Sequence, residues 1–281
     1  MIANQSKFLV VGLVKNCSKT VNLDVFRLLK ALDFSESVSF LLIESDSSDS
    51  TLNELEHLKN SISNFEYISL GNLAERFSIR TERLAYCRNV YLDIIKYDYK
   101  YKNIDFIVVA DFDGINNLIC KASFAACFSK SNWDVCTSNQ LGPYYDIWAL
   151  RHSLWCPNDV WSEYEFLCKF TRNKRDALET TIYSKMIIIP PSSDWISVKS
   201  AFGGLAIYKK NILSKARYCG LDFNRNPVCE HVPFNTTLIE QGYRIFINPA
   251  LINSGFNEHN LNKSFFRRNI HRLKRVILRW S

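Results

Sequence analysis

Asp105-Phe106-Ile107-Val108-Val109-Ala110-Asp111-Phe112-Asp113 is the stretch that decides how this chain is read. Four aromatic or β-branched residues and an alanine form a short apolar run of the kind that makes a buried strand. The run ends in two carboxylates separated by one residue. In an open α/β sheet, ligands bind outside the carboxyl ends of the strands, so Asp111 and Asp113 are placed at the mouth of a cleft. Hard cations prefer carboxylate and phosphate oxygens, and the pair therefore suits Mg2+ or Mn2+ bridging a diphosphate. Alone, a D-x-D pair is a weak signal and reads equally as a solvated turn. Its weight comes from the strand before it and from what precedes that strand.

Toward the N-terminus, Phe8 to Val14 reads as a buried strand, Val21 to Leu32 has helical spacing, and Val38 to Ile43 is a second buried strand. Leu52, Leu55, Leu58 and Ile62 share one helix face, Tyr67 to Leu70 is a short strand, and Ile79 to Ile95 is a long helix leading to Asp105. Strands alternating with helices imply an α/β fold with a mostly parallel sheet covered on both faces. Toward the C-terminus the pattern predicts a helix over Lys121 to Ser129, a strand over Trp133 to Ser138 and an aromatic segment from Tyr144 to Trp161. It then predicts an exposed helix over Trp161 to Thr181 and strands over Lys185 to Ile189 and Val198 to Tyr208. A helix over Phe234 to Gln241, closed by Gly242 at C′, leads to a last strand from Tyr243 to Asn248 that stops before Pro249.

The 281 residues are enough for one elaborated domain. The formal charge of +7 is an invitation to nucleic acid only until it is located: residues 263–281 carry seven Lys or Arg and no acid, which equals the whole excess. A balanced body with a basic end excludes a nucleic-acid groove. In that tail Phe266, Ile270, Leu273, Ile277 and Trp280 are spaced 4, 3, 4, 3, with the basic residues on the other face. Such a helix suits an anionic membrane surface; docking onto the protein's own core is the alternative. Nine cysteines without a CxxC pair point to free thiols and a reducing cytosol. The start has no signal-peptide pattern, and Phe8 to Val14 is too short to span a bilayer. The expectation is a cytoplasmic protein, peripheral on the inner face of the membrane.

Several clusters carry candidate chemistry. The second strand ends in Glu44-Ser45-Asp46-Ser47-Ser48-Asp49-Ser50-Thr51, short polar side chains that suit a base and ribose, with Asp49 or Ser50 placed to cap the following helix. On the long helix Arg80, Arg83 and Cys87 share a face, Arg88 lies about a quarter turn round, and Asn89 follows. Guanidinium groups suit a diphosphate, and surface ion pairs with Glu82 and Asp93 are the alternative. Gly203 and Gly204 permit either a close backbone approach to a ligand or a bulge. Glu230 and His231 sit at a helix start, where Glu230 serves as general base, as acceptor-orienting group or as a partner of the helix dipole. His259 is a candidate third metal ligand, against the commoner lone surface histidine. His152 is expected to be structural or to face the acceptor.

With those residues in place, the chain resembles the nucleotide-sugar glycosyltransferases of the GT-A fold and, more narrowly, the fungal capsule-associated α-mannosyltransferase family and its bacterial relatives. The resemblance lies in Glu44-Ser-Asp46, Arg83-Leu-Ala-Tyr-Cys-Arg88-Asn89, Asp111-Phe-Asp113, Tyr144-Tyr-Asp146-Ile-Trp148, Phe202-Gly-Gly204, and Glu230 followed by Gly242-Tyr-Arg-Ile-Phe-Ile-Asn-Pro249. That order spans roughly residues 8–250. It implies a Rossmann-like GT-A domain over 1–262, with a donor half to about 118 and an acceptor half after it, followed by the basic tail.

The implied activity is hexosyl transfer from a UDP-sugar or GDP-mannose to a hydroxyl of a cell-surface glycan or glycolipid. Asp113 and Asp111, with His259, would hold Mn2+ or Mg2+. Glu44, Asp46, Arg80, Arg83, Arg88, Asn89, Asp111, Gly203 and Gly204 would bind the donor; Tyr144, Tyr145, Asp146, Trp148 and His231 would meet the acceptor. If the reaction inverts, Glu230 is the expected base with Asp194 behind it; if it retains, Glu230 orients the acceptor. The fungal proteins' membrane-anchor segment has no counterpart in this chain, which leaves the basic tail as the expected membrane contact. Three rivals remain. A sugar nucleotidyltransferase would want a glycine-rich phosphate loop after the first strand, and Val14-Lys15-Asn16-Cys17 is not one. A module binding anionic lipid or nucleic acid would act through the tail alone. A structural protein with a degenerate site would bind no nucleotide.

Overall fold

A computed structural model describes residues 3–255, so His259 and the basic tail 263–281 lie outside the described residues. The polypeptide opens with β1 (Lys7–Val14), α1 (Val21–Ala31), β2 (Ser37–Glu44), α2 (Thr51–Ser61), β3 (Phe65–Ser69), α3 (Arg80–Tyr97) and β4 (Phe106–Ala110). These follow the apolar periods of the sequence closely. Along β1 the side chains alternate between two cores: Leu9 and Val11 pack with Tyr91 and Ile95 of α3, while Phe8 and Val10 pack with Val25 and Leu28 of α1 and Leu55 of α2. Burial on both faces is why these strands read as continuous apolar runs.

With β5 (Val135–Gln140), β6 (Ile196–Val198), β7 (Leu205–Lys209) and β8 (Ile245–Ser254), one eight-stranded sheet runs β3-β2-β1-β4-β7-β5-β8-β6. β1 is parallel to β2 and β4, and β2 to β3. The chain therefore builds outward from β1 to β3 and then returns across β1 to place β4 on its other side. This reversal opens a crevice at the carboxyl ends of β1 and β4.

The second half departs from the expected pattern. α4 (Lys121–Ala125) and β5 (Val135–Gln140) are followed by α5 (Val160–Cys168) and α6 (Lys174–Thr181). The single helix expected over Trp161 to Thr181 is thus two, because Asn173 leaves the helical conformation and accepts from Arg175 N to cap α6. Lys185 to Ile189 is not a strand: Ile188 makes one isolated bridge, to Pro143, and Ile187 and Ile188 are about half exposed. The tandem Pro190-Pro191, lacking amide donors, cannot continue a ladder there. Val198 to Tyr208 is split into β6 (Ile196–Val198) and β7 (Leu205–Lys209), because Gly203 and Gly204 take φ of 71° and 86°. β7 runs antiparallel between β4 and β5, and β6 antiparallel beside β8.

After α7 (Lys210–Leu213) and α8 (His231–Glu240), closed by Gly242 at φ 86°, β8 (Ile245–Ser254) continues through Pro249 instead of stopping there. The register against β5 slips between Thr137 and Asn139, and the Asn139 amide donates to the Pro249 carbonyl at 3.0 Å, filling the bulge that tolerates the proline. All nine cysteines are free thiols. Among the described residues no helix is long and apolar enough to cross a membrane.

Candidate active site

The crevice at the ends of β1 and β4 is a cleft of about 360 Å³, a volume typical of small-ligand sites. Its centre is the turn after β4. Phe112 is driven into the core, 1% exposed, which turns Asp111 and Asp113 toward the cleft wall on either side of it. Gly12 of β1 makes this possible: a Cβ there would lie 2.4 Å from both the Ala110 carbonyl and the Phe112 ring. The turn is pinned from α1. Thr20 Oγ1 donates to the Phe112 carbonyl at 2.7 Å, and the buried Asp24 carboxylate accepts from Gly114 N at 2.8 Å. Asp113 Oδ1 accepts from Ile115 N, and Asp111 N donates to the Gly204 carbonyl.

Neither Asp111 nor Asp113 forms a salt bridge among the described residues. Burial, and then the charge of Asp113, push the Asp111 carboxyl up to about 8, with Arg88 pulling the other way. A half-buried carboxyl crowded by a second one, with no salt-bridge partner, is chemically suited to a hard divalent cation. Among the described residues no group of three metal-ligating side chains is present. Mg2+ and Mn2+ are commonly held by one or two carboxylates, with water and phosphate oxygens completing the shell, so the pair fits such an ion.

α3 supplies the cationic side. Arg80, Arg83, Leu84, Cys87 and Arg88 all line the cleft. Arg88, expected a quarter turn away, belongs to the same stripe because positions i, i+3, i+4, i+7 and i+8 cover a face wide enough to include it. The alternative of surface pairing fails for these arginines: Asp93 instead pairs with Arg217. Arg83 donates to the Phe77 and Ser78 carbonyls and approaches Asp46 at 3.9 Å. Lys15 and Cys17, after β1, complete this side. Burial pushes the Cys17 thiol up to about 11, so it is neutral at physiological pH.

The farther wall is built from loops. Tyr145, Asp146 and Trp148 reach the cleft, as do Phe202, Glu230 and His231. Trp148 is steadied by donating to Asp159 Oδ2 at 3.0 Å. Glu230 Oε1 lies 2.8 Å from Arg88 Nε, each side chain 5% exposed. His231 stacks on Phe202 at 4.0 Å and meets Tyr218 edge-on. Burial, with Arg88 nearby, holds its imidazole well below the usual histidine range and hence neutral.

The other expected site residues divide between the cleft and the structure around it. Glu44 is buried and accepts from Ser47 N and Ser69 Oγ, holding the loop after β2; Asp46, at φ 59°, lines the cleft while accepting from Ala74 N. Asp49, not Ser50, supplies the carboxylate at the start of α2, accepting from Thr51 N. Asn89 clasps the backbone of Tyr218 through both amide atoms and does not line the cleft. Tyr144 is fully buried behind Tyr145. Gly203 and Gly204 face the protein: Gly203 N donates to Asp146 Oδ2 at 2.9 Å, and a Cβ on Gly204 would come 2.8 Å from the Tyr145 hydroxyl. Asp194 is exposed ahead of β6, outside the cleft. His152 has the structural role, accepting from Leu154 N and Trp155 N.

Sequence reasoning passed over Lys15, Thr20, Asp24 and Gly12. Lys15 carried a usable signal as the first charged residue after the first strand. The other three act through contacts 90 or so residues away and leave no local mark.

No family model and no curated protein sequence matches the chain. Among solved structures it is similar to the mannosyltransferase PcManGT from Pyrobaculum calidifontis, described in complex with GDP-Man and Mn2+. That pair shares 11% identity and a TM-score of 0.50, over 92% of this chain and 58% of that one. It is also similar to S. aureus TarS 1-349, at 15% identity and a TM-score of 0.48 over 86% of this chain and 57% of that one. A third, glucosyl-3-phosphoglycerate synthase from Mycobacterium tuberculosis, has 12% identity and a TM-score of 0.45 over 89% and 67%. The chain thus spans a little under three fifths of the length of the first two. The fold is the Rossmann-like GT-A fold: a mostly parallel eight-stranded sheet with flanking helices.

Proposed function

We propose that the chain is a glycosyltransferase that moves a sugar from a nucleoside-diphosphate donor, a UDP-sugar or GDP-mannose, to a hydroxyl of a cell-surface glycan or glycolipid. The observation that carries the reading is the Asp111-Phe112-Asp113 turn at the sheet's switch point, facing a cleft that also receives Lys15, Arg80 and Arg83. A similarly folded mannosyltransferase is described with GDP-Man and Mn2+, which supports a divalent metal and a nucleotide-sugar here.

In this reading Asp111 and Asp113 hold Mn2+ or Mg2+, and the metal supplies charge stabilisation to the departing diphosphate. Lys15, Arg80 and Arg83 attract the same phosphates, and the arginine forks suit their oxygens. Asp46, on the loop after β2, is placed to meet the nucleoside. Trp148 and Tyr145 offer aromatic faces to sugar rings. Glu230, tied to Arg88, orients the acceptor. Residues 263–281 supply contact with an anionic inner membrane face, and His259 remains the proposed third metal ligand.

The deciding experiment is a thermal-shift screen of UDP, GDP, CDP and their sugars, with and without Mn2+, on the wild-type chain and Asp113→Ala. Stabilisation by one nucleotide that requires both the metal and Asp113 is the expected result and names the donor base. Absence of any shift would return the field to a tail-driven binding module. Sedimentation with phosphatidylserine vesicles, with and without residues 263–281, tests the membrane contact separately.

A further inference from the structure

We propose that Asp146, and not Glu230, takes the proton of the incoming hydroxyl; the step rests on the glycosyltransferase reading above. Both carboxylates line the cleft, but they are held in different ways. Glu230 is spent on Arg88: the pair is 2.8 Å apart with both side chains 5% exposed, and the guanidinium is further flanked by the Phe202 and Tyr218 rings. Protonating Glu230 would leave Arg88 buried without its counter-charge, which is among the more costly changes an interior tolerates.

Asp146 forms no salt bridge with Lys or Arg among the described residues. Its Oδ2 accepts from Gly203 N at 2.9 Å, so the carboxylate is oriented by backbone and not by a cation. The Gly203 turn is shaped for that purpose: φ is 71°, and a Cβ would lie 2.8 Å from Ser138 Oγ and 3.0 Å from Gln140 Nε2. A base needs a fixed direction and a place beside the ligand; the Gly203 amide fixes the direction, and Asp146 lines the cleft on the wall that carries Tyr145 and Trp148.

The charged and titratable groups around Asp146 are Glu230 just before α8, Arg88 on α3, Asp111 after β4, its neighbours Tyr144 and Tyr145, and Cys229. Burial pushes the Asp146 carboxyl above the ordinary aspartate range. Glu230 adds to this, and the Gly203 and Ala149 amides and Arg88 pull back. The net effect brings a base closer to neutral pH, where it is more effective.

In the step itself, the acceptor O–H proton passes to the Asp146 carboxylate while the hydroxyl oxygen forms a bond to the anomeric carbon. The bond from that carbon to the phosphate oxygen breaks, and its electron pair leaves on the nucleoside diphosphate. A single displacement of this kind inverts the anomeric configuration.

The test uses the full chain with Mn2+ and UDP-glucose or GDP-mannose, water standing in for the acceptor hydroxyl, and compares wild type with Asp146→Asn and Glu230→Gln. Asp146→Asn is expected to lower kcat by about 100-fold or more, within the range of a lost general base. It should also flatten the rising pH limb, leave nucleotide affinity within about threefold, and lose the inverted sugar product seen with wild type. Glu230→Gln should keep the pH limb. The opposite assignment of the limb, or a retained anomer from wild type, overturns the proposal. Where water turnover is too slow to follow, 13C-aspartate labelling decides, with Asp146→Asn assigning the resonance. An Asp146 titration above the ordinary aspartate range supports the proposal, and one within that range overturns it. Failure of the underlying reading looks different, because no nucleotide would then bind with any metal.

Discussion

Two sets of charges share the cleft, and they are paid for differently. Lys15, Arg80 and Arg83 stand on its more open side, where solvent screens the first two and the Phe77 and Ser78 carbonyls take up part of the Arg83 fork. Asp111 and Asp146 are half-buried and Glu230 is buried, and partial withdrawal from water makes an unneutralised carboxylate costly at each of them. Only Glu230 has a salt-bridged guanidinium, that of Arg88. The difference teaches which side waits for a ligand: the cations are at rest in the free protein, whereas Asp111 with Asp113 is completed only by a positive charge from outside.

The sharpest way to break this comparison is to remove an anion. Asp113→Ala is expected to abolish metal-dependent nucleotide stabilisation entirely, with the melting temperature of the free protein unchanged or slightly raised, as followed by differential scanning fluorimetry. Cutting the one compensated anion loose does the reverse. Arg88→Met leaves Glu230 buried and unpaired and should destabilise the free protein by about 3–5 kcal/mol in urea denaturation, the usual penalty for breaking a buried pair. If Arg88→Met is neutral, Glu230 is not held by the pair as described.

A pH titration sharpens the contrast further. The folded Asp111 carboxyl is raised to about 8 from an ordinary 3.8, so between those values the native state holds a proton that the unfolded chain has lost. Stability of the metal-free protein is therefore full below about 4 and declines as pH rises toward about 8. Asp146 and Asp24, also raised, act in the same direction, so Asp111→Asn should remove part of the slope and not all of it. Mn2+ should bind more tightly across the same window, with proton release measurable by calorimetry in buffers of different ionisation heat.

How much of this was legible before the structure differs between the two sides. The strand before Asp111 and the two carboxylates at its end came through because buried parallel strands write themselves as apolar runs, and α3 because its arginines repeat at helical spacing. The opposite wall is built from tertiary hydrogen bonds. Gly203 and Gly204 read as a break within one strand, and what they do depends on Asp146 lying 57 residues away. Asn89 is expected at the donor beside Arg88, yet its amide matches the backbone of Tyr218, a contact across 129 residues. Gly12 reads as one more residue of an apolar strand, and its role lies in the close approach of the Phe112 ring. Local periodicity records which face a residue shows, and these roles depend on which distant partner meets that face.

The cationic side should yield the smallest effects, and their size is itself a test. Arg83→Ala removes a half-buried fork and is expected to weaken nucleotide-diphosphate binding by about tenfold, in the range of one charge-assisted hydrogen bond. Lys15→Ala, a flexible point charge at the cleft mouth, should cost only about threefold, consistent with the small worth of a screened charge. Both losses should shrink as salt is raised from 50 to 500 mM, because screening falls hardest on exposed charges. The loss caused by Asp113→Ala should persist at every salt concentration. A Lys15→Ala defect as large and as salt-resistant as that of Asp113→Ala would mean that the cleft binds phosphate chiefly through fixed cations, and the division between a resting side and a waiting side would fall.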